Sequence, residues 1–230
     1  MGKKNKLKKF EDLHSYPHVY ENQDPRNPGL TAQDNIRVDL KGKWNMAHFH
    51  NNYPITLELA CGRGEYTVAL AEAYPTKNYI GVDVKGARMW QGASISMQKG
   101  LSNAAFLRTR IEQADLFFGS GEVSEIWITF PDPFLRTSKS DKRLTSARFL
   151  SLYRNFLAPG ALMHLKTDDS TLYEYTLHTL QADPACQIIY HNNDIYANPL
   201  EFEELRFKTH YEMEHLSDGR KIKYVRFRIN

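Results

Sequence analysis

A parallel α/β sheet with helices on both faces is the fold class that this sequence predicts, on three observations. Short apolar stretches of strand composition alternate along the chain with stretches of helical length. Glycines and prolines fall at the junctions, at Gly62, Gly64, Pro75, Gly100 and Pro159-Gly160 among others. A length of 230 residues with 41% hydrophobic and 25% charged side chains supplies enough core for one large domain without disulfides or a structural metal.

Residues 1–50 read as a basic, flexible N-terminal arm, with Pro17, Pro25 and Pro28 and little periodicity before Trp44. Residues 51–230 read as the folded domain. A strand is expected over 55–60, then a turn at Cys61-Gly62-Arg63-Gly64, then an Ala- and Leu-rich helix over 65–74 stopped by Pro75. The next strand covers 79–84 and the next helix 85–99, ended by Gly100. Strands follow over 104–108 and 125–130, the latter β-branched and aromatic. A helix over 145–157 stops at Pro159-Gly160, and a strand over 161–166, a helix over 172–180 and a strand over 185–190 come after it. The last strand, 222–229, alternates with period two.

Charge is distributed unevenly. Lys and Arg number 30 against 27 Asp and Glu, yet Lys3, Lys4, Lys6, Lys8 and Lys9 all lie in the first ten residues, with no acid among them. The other 220 residues carry 25 basic and 27 acidic groups, so the positive balance is local. Such a cluster serves either as a solvated, solubilising tail or as a foothold on nucleic acid or another anionic surface. No apolar run follows it, as a secretory signal would require, and no stretch of 18 apolar residues exists. Cys61 and Cys186 form no CxxC pair, so neither a disulfide framework nor a thiolate zinc site organises the fold, and no metal is expected. The expected compartment is the cytoplasm.

Ligands of an open α/β sheet bind at the carboxyl ends of its strands. After the first expected strand, Gly62 and Gly64 permit a tight turn and close approach of a ligand to the backbone. A dinucleotide fingerprint would want a third small residue at position 67, where this chain has Thr67. Glu58 is an acid inside an otherwise apolar strand, costly to bury without a partner. Asp83 ends the second strand 21 residues after Gly62, the spacing at which an acid reaches a ribose diol. Together the three favour a nucleoside-bearing cofactor. The fourth strand ends in Phe130-Pro131-Asp132-Pro133-Phe134, where two prolines restrain the backbone around one carboxylate. The same dipeptide can also be a plain turn. Arg136, Lys139, Lys142, Arg143 and Arg148 follow, interspersed with hydroxyls, a composition suited to phosphate contacts or to a solvated loop.

These segments, with Lys142-Arg143-Leu144-Thr145, Lys166-Thr167-Asp168 and Thr209-His210-Tyr211-Glu212, occur in an order that resembles the bacterial tRNA (guanine-N7-)-methyltransferases over about residues 50–229. The resemblance implies a Rossmann-like class I methyltransferase fold, a mostly parallel seven-stranded sheet with an antiparallel last strand. It implies S-adenosyl-L-methionine as cofactor and the variable-loop guanine of tRNA as substrate. It also implies that Glu58, Gly62, Asp83, Glu112 and Asp132 bind the cofactor, that Asp132 is the active-site carboxylate, and that Arg136, Asp168, Thr209, Tyr211 and Glu212 meet the substrate. Phe134, Arg136 and Glu112 stand where that family usually has Trp, Lys, and Asp or Asn, and each keeps the chemical class.

Guanine N7 carries an in-plane lone pair, so methylation there needs alignment rather than a strong base. A carboxylate such as Asp132 would then favour the positive charge developing on the base. An oxidoreductase is disfavoured by Thr67 and by the restrained Asp132. A methyltransferase acting on another base or amino group, and a non-catalytic RNA-binding subunit, remain as alternatives.

Overall fold

The computed structural model describes residues 3–230, with side chains from residue 8 onward. The lysine cluster is therefore seen only in part: the side chains of Lys3, Lys4 and Lys6 lie outside the described residues. Among the described residues, ten strands form one sheet. In chain order they are β1 Val19–Asn22, β2 Leu30–Thr31, β3 Arg37–Val38, β4 Ile55–Leu59, β5 Asn78–Asp83, β6 Ala104–Arg108, β7 Val123–Thr129, β8 Leu157–Thr167, β9 Cys186–Asn192 and β10 Lys223–Ile229. Six α-helices accompany them among the described residues: α1 Lys3–Ser15, α2 Glu65–Ala73, α3 Gly86–Lys99, α4 Ala147–Tyr153, α5 Ser170–Ala182 and α6 His210–Ser217.

The sheet order is β3-β2-β1-β6-β5-β4-β7-β8-β10-β9. Strands β1, β6, β5, β4, β7 and β8 run parallel, and β10 is antiparallel to β8, as expected of the last strand. Each parallel strand sends alternate residues to opposite faces. On β7, Ile126 and Ile128 join a core with Phe149 and Leu150 of α4 and Leu172 and Leu180 of α5. Trp127 between them joins the opposite core, with Tyr66 and Leu70 of α2. Helices therefore cover both faces.

The strand count exceeds the expected seven, because part of the expected arm belongs to the sheet. Strand β1 adds to the edge of β6, pairing Val19 with Phe106 and Tyr20 with Leu107, and β2 and β3 extend that edge. Val19, Tyr20, Leu30, Leu40, Trp44 and Phe49 are all buried. The packed structure thus begins well before residue 51. Covering β6 in this way removes an exposed edge, and four residues are too few for β1 to show a period in sequence. Strand β8 starts at Leu157, earlier than expected, and α4 is correspondingly short.

Candidate active site

The chain reverses its order across the sheet between β4 and β7, with β5 and β6 on one side and β8 on the other. The carboxyl ends of these strands open on a cleft of about 900 Å³. That is the place where a doubly wound sheet binds its ligand.

One wall is the glycine turn after β4. Ala60, Gly62 and Gly64 all have positive φ, between 56° and 69°. A side chain at Gly64 is excluded, since a Cβ there would lie 2.5 Å from the ring of Phe106. Gly92 of α3 presses on the same turn, and a Cβ on it would come within 2.7 Å of the Arg63 carbonyl. Asp83, at the end of β5, ties the turn in place: its carboxylate accepts from Gly62 N at 2.9 Å and from Lys85 N at 2.7 Å. Gly62 and Asp83 both line the cleft, beside the apolar side chains of Val84 and Ile111.

Glu58 lies behind this wall and is not among the lining residues. Only 4% exposed, it accepts from the Thr67 amide at 2.9 Å, the Thr67 hydroxyl at 2.5 Å and the Thr129 hydroxyl at 2.7 Å. Thr67, the residue that breaks the dinucleotide fingerprint, is therefore the partner that makes a buried Glu58 possible. Gly81 faces Glu58 across the sheet and leaves room for the threonine, whose hydroxyl would be 2.9 Å from a Cβ there. Burial pushes the Glu58 carboxyl up to about 7, a rise that the three hydrogen bonds moderate and the charge of Asp83 reinforces.

The other wall follows β7. Pro131 is buried and Asp132 exposed, and the loop bends through positive φ at Phe130 and Phe134. Asp132 lines the cleft, and its Oδ1 accepts from Phe134 N at 3.0 Å, which pins the carboxylate. Arg143 sets the loop from beneath. Its guanidinium donates to the Pro133 carbonyl at 2.9 Å and the Phe134 carbonyl at 3.1 Å, and stacks 4.3 Å from the Tyr175 ring. Arg143 is buried and so is no phosphate contact, which corrects its placement with the basic segment. Arg136, Lys139 and Lys142 are exposed, and Lys142 reaches the cleft, whereas Arg136 does not line it.

The later residues divide. Asp168, Thr209 and Tyr211 line the cleft. The Asp168 carboxylate is held by Arg220 at 2.7 Å and lies 3.5 Å from His215, and its carbonyl accepts from Lys223 at 2.9 Å. It does not cap α5; Asp169 does, accepting from Leu172 N. Thr209 caps α6 by accepting from Glu212 N at 3.2 Å. The Glu212 side chain is fully buried, pairs with Lys166 at 2.7 Å and accepts from Tyr196 at 2.6 Å, so no substrate reaches it in this structure. Glu112 lines the cleft with no hydrogen bond or ion pair among the described residues.

Sequence reasoning missed Arg220, His215 and Glu65, which also line the cleft; Glu65 accepts from His210 N at 2.7 Å and so joins α2 to α6. The Thr209-x-x-Glu212 spacing is the signature of a capped helix start and could have revealed α6. No group of three or more potential metal ligands occurs among the described residues.

Fold and cleft together define a class I methyltransferase. The family model described as "Putative methyltransferase" matches residues 52–225. A solved 16S rRNA methyltransferase, KamB, superposes with a TM-score of 0.63 at 14% identity, covering 87% of this chain and 98% of that one. A second, described as an antibiotic-related methyltransferase, gives 0.61 at 18% identity over 83% and 94%. Among curated proteins, the tRNA (guanine-N(7)-)-methyltransferase of Bacteroides thetaiotaomicron is 48% identical over 229 residues, 100% of this chain and 87% of the relative. That of Christiangramia forsetii is 45% identical over 230 residues, 100% of both. The chain belongs to the tRNA (guanine-N(7)-)-methyltransferase family.

Proposed function

We propose that this protein methylates N7 of a guanine in tRNA, at the variable loop, with S-adenosyl-L-methionine as methyl donor. The observation that carries the reading is the juxtaposition across one cleft of the Gly62–Asp83 wall and the pinned carboxylate of Asp132. The cleft fits the donor. Gly62 has no neighbour nearer than 3.9 Å to the place a Cβ would take, so a ligand can approach its backbone closely. Asp83 lines the cleft and would accept from a ribose diol, and Val84 and Ile111 would offer apolar surface to a base. Glu58 supports this site through Thr67 and the glycine turn rather than by touching the donor.

When bound, S-adenosyl-L-methionine supplies an electrophilic methyl group on a sulfonium centre. The protein's own part is alignment. N7 of guanine needs no deprotonation, so Asp132 has no proton to remove from it. Its free carboxylate oxygen can accept from guanine N–H groups and lower the energy of the cationic product as charge develops. Thr209, Tyr211 and Asp168 line the same side of the cleft and would frame the base, while Arg136, Lys139 and Lys142 would meet phosphates beside it.

The test is to incubate the protein with tRNA and S-adenosyl-L-methionine and map the modified nucleotide by mild chain cleavage at N7-methylguanine. One cleavage site in the variable loop is the expected outcome. Methylation of an adenine or an exocyclic amine, or RNA binding without transfer, would overturn the reading.

A further inference from the structure

Helix α1 is fastened to the body of the protein at several points. Leu13 is buried, and the Trp90 indole of α3 donates to Asp12 at 2.8 Å. The ammonium of Lys9 lies over the Trp90 ring at 4.4 Å. Phe10 stacks under the Arg108 guanidinium at 4.9 Å and fills the space left by Gly86, whose absent Cβ would fall 2.9 Å from its ring. Arg108 is itself paired with Glu21, which also meets His14.

These contacts fix the direction of the helix. Tyr16, just past its end, bonds Ser94 in the middle of α3, whereas Phe10 sits beside Gly86 at the start of α3. Gly86 directly follows Val84 and Lys85, which line the cleft. The N-terminal end of α1 therefore points toward the cleft side of α3, and the seven residues before Phe10 extend the helix about 10 Å further in that direction.

Lys8, Lys85, Arg88 and Arg110 enter none of the ion pairs among the described residues, whereas Lys43 and Lys99, at the other end of the molecule, are each paired with an acid. Across the cleft, beyond β7, stand Arg136, Lys139 and Lys142. A target base held between the two sides has backbone leaving in both directions, and outside the first ten residues basic groups number 25 against 27 acidic ones. A polyanion is therefore drawn to local clusters, not to the body as a whole.

We propose that α1, docked on α3 and continuous with Lys85 and Arg88, is a second RNA-binding rim that grips tRNA phosphates on the side of the cleft opposite residues 136–142. This rests on the tRNA methylation reading above. The rim adds affinity and orientation without reading bases.

The test replaces Lys3, Lys4, Lys6, Lys8 and Lys9 with Gln together and measures tRNA binding across a salt series. The dissociation constant should rise about tenfold or more near 150 mM salt, and the slope of log K against log salt should shrink by roughly two to four units. Methylation should fall at low tRNA and recover as tRNA is raised. A Lys43→Gln/Lys99→Gln variant should keep the wild-type slope. A second variant, Phe10→Ala/Leu13→Ala, keeps all five charges but loosens the helix from α3; weaker tRNA binding with intact cofactor binding is expected. Wild-type affinity and slope in the five-lysine variant would overturn the proposal. Wild-type affinity in the loosened variant would reduce the docked rim to a loose electrostatic tail. Failure of the wild-type protein to methylate tRNA would overturn the functional reading as well, and separates the two.

Discussion

Lys166 and Glu212 form an ion pair 2.7 Å long in which both side chains are fully buried. The ammonium also donates to the carbonyls of Leu205 at 3.2 Å and Phe207 at 3.1 Å, so the pair fastens α6 and the segment before it to β8. Removing one partner strands a buried charge. Glu212→Ala should therefore cost about 3–5 kcal/mol of stability, and a Lys166→Met/Glu212→Leu double variant should regain part of it. Denaturant titration beside tRNA binding reads both quantities. If Glu212 instead met substrate, its removal would weaken tRNA binding and leave the denaturation midpoint where it was.

Glu58 makes stability depend on pH. Its carboxyl in the folded protein is raised from the ordinary 4.5 to about 7, so the folded state holds this proton more tightly than the unfolded state. The contribution is fully present below pH 4.5 and is lost as pH rises through about 7, on the order of 3 kcal/mol in all. Glu58→Gln, whose amide can serve the same Thr67 and Thr129 partners, should flatten stability between those limits. Denaturation curves at several pH values check this, and an unchanged slope in the Gln variant would assign the dependence to another group.

Much of the architecture is legible from residues alone because the central strands are apolar runs cut off by glycine or proline. Strand β1 is not legible. Its four residues are all buried, including Glu21 and Asn22, whose partners Arg108 and Thr109 arrive from almost ninety positions away. The site is legible in the same uneven way. Asp83 and Asp132 announce themselves at strand ends, and both line the cleft. Glu58 also stands out, but an acid inside a strand looks the same whether it faces a ligand or a threonine nine residues on. Arg143 and Arg136 share one basic, hydroxyl-rich segment. Only the fold brings Tyr175 and two carbonyls to one of them.

Asp83 should matter to cofactor binding in two ways, through a ribose and through the glycine turn that it holds. Asp83→Ala should weaken S-adenosyl-L-methionine binding by about 1.5–3 kcal/mol, the range for a hydrogen bond to a charged group. Asp83→Asn keeps an acceptor for Gly62 N or Lys85 N and should lose less. Titration calorimetry on folded variants decides; equal affinity in wild type and Asp83→Ala would remove Asp83 from the cofactor site.

The two arginines of the basic segment should separate by phenotype. Arg136→Ala should weaken tRNA binding and lower its salt slope by about one unit, if one phosphate contact is lost. Arg143→Ala should leave that slope alone. It strands the Pro133 and Phe134 carbonyls and should cost about 1–3 kcal/mol of stability, with a loss of turnover because the Asp132 loop relaxes. Filter binding across salt, beside single-turnover rates, gives both readouts, and a changed salt slope in Arg143→Ala would return it to the RNA surface.

Asp132 tests whether the cleft acts by alignment and charge or only by binding. Asp132→Asn retains an oxygen that can accept from Phe134 N, so the loop geometry should survive. If most tRNA affinity comes from phosphate contacts with basic side chains, which this substitution does not touch, binding should change little. The missing charge should appear in the chemical step, because the methylated guanine becomes cationic as the bond to N7 forms. Loss of one preorganised electrostatic group typically lowers turnover by on the order of a hundredfold or more. Single-turnover methylation at saturating tRNA and cofactor isolates that step from binding and product release. An Asp132→Asn protein with full single-turnover rate would leave the carboxylate no role beyond the turn at Phe134, and positioning of the base would then fall to Thr209, Tyr211 and Asp168 on the same wall.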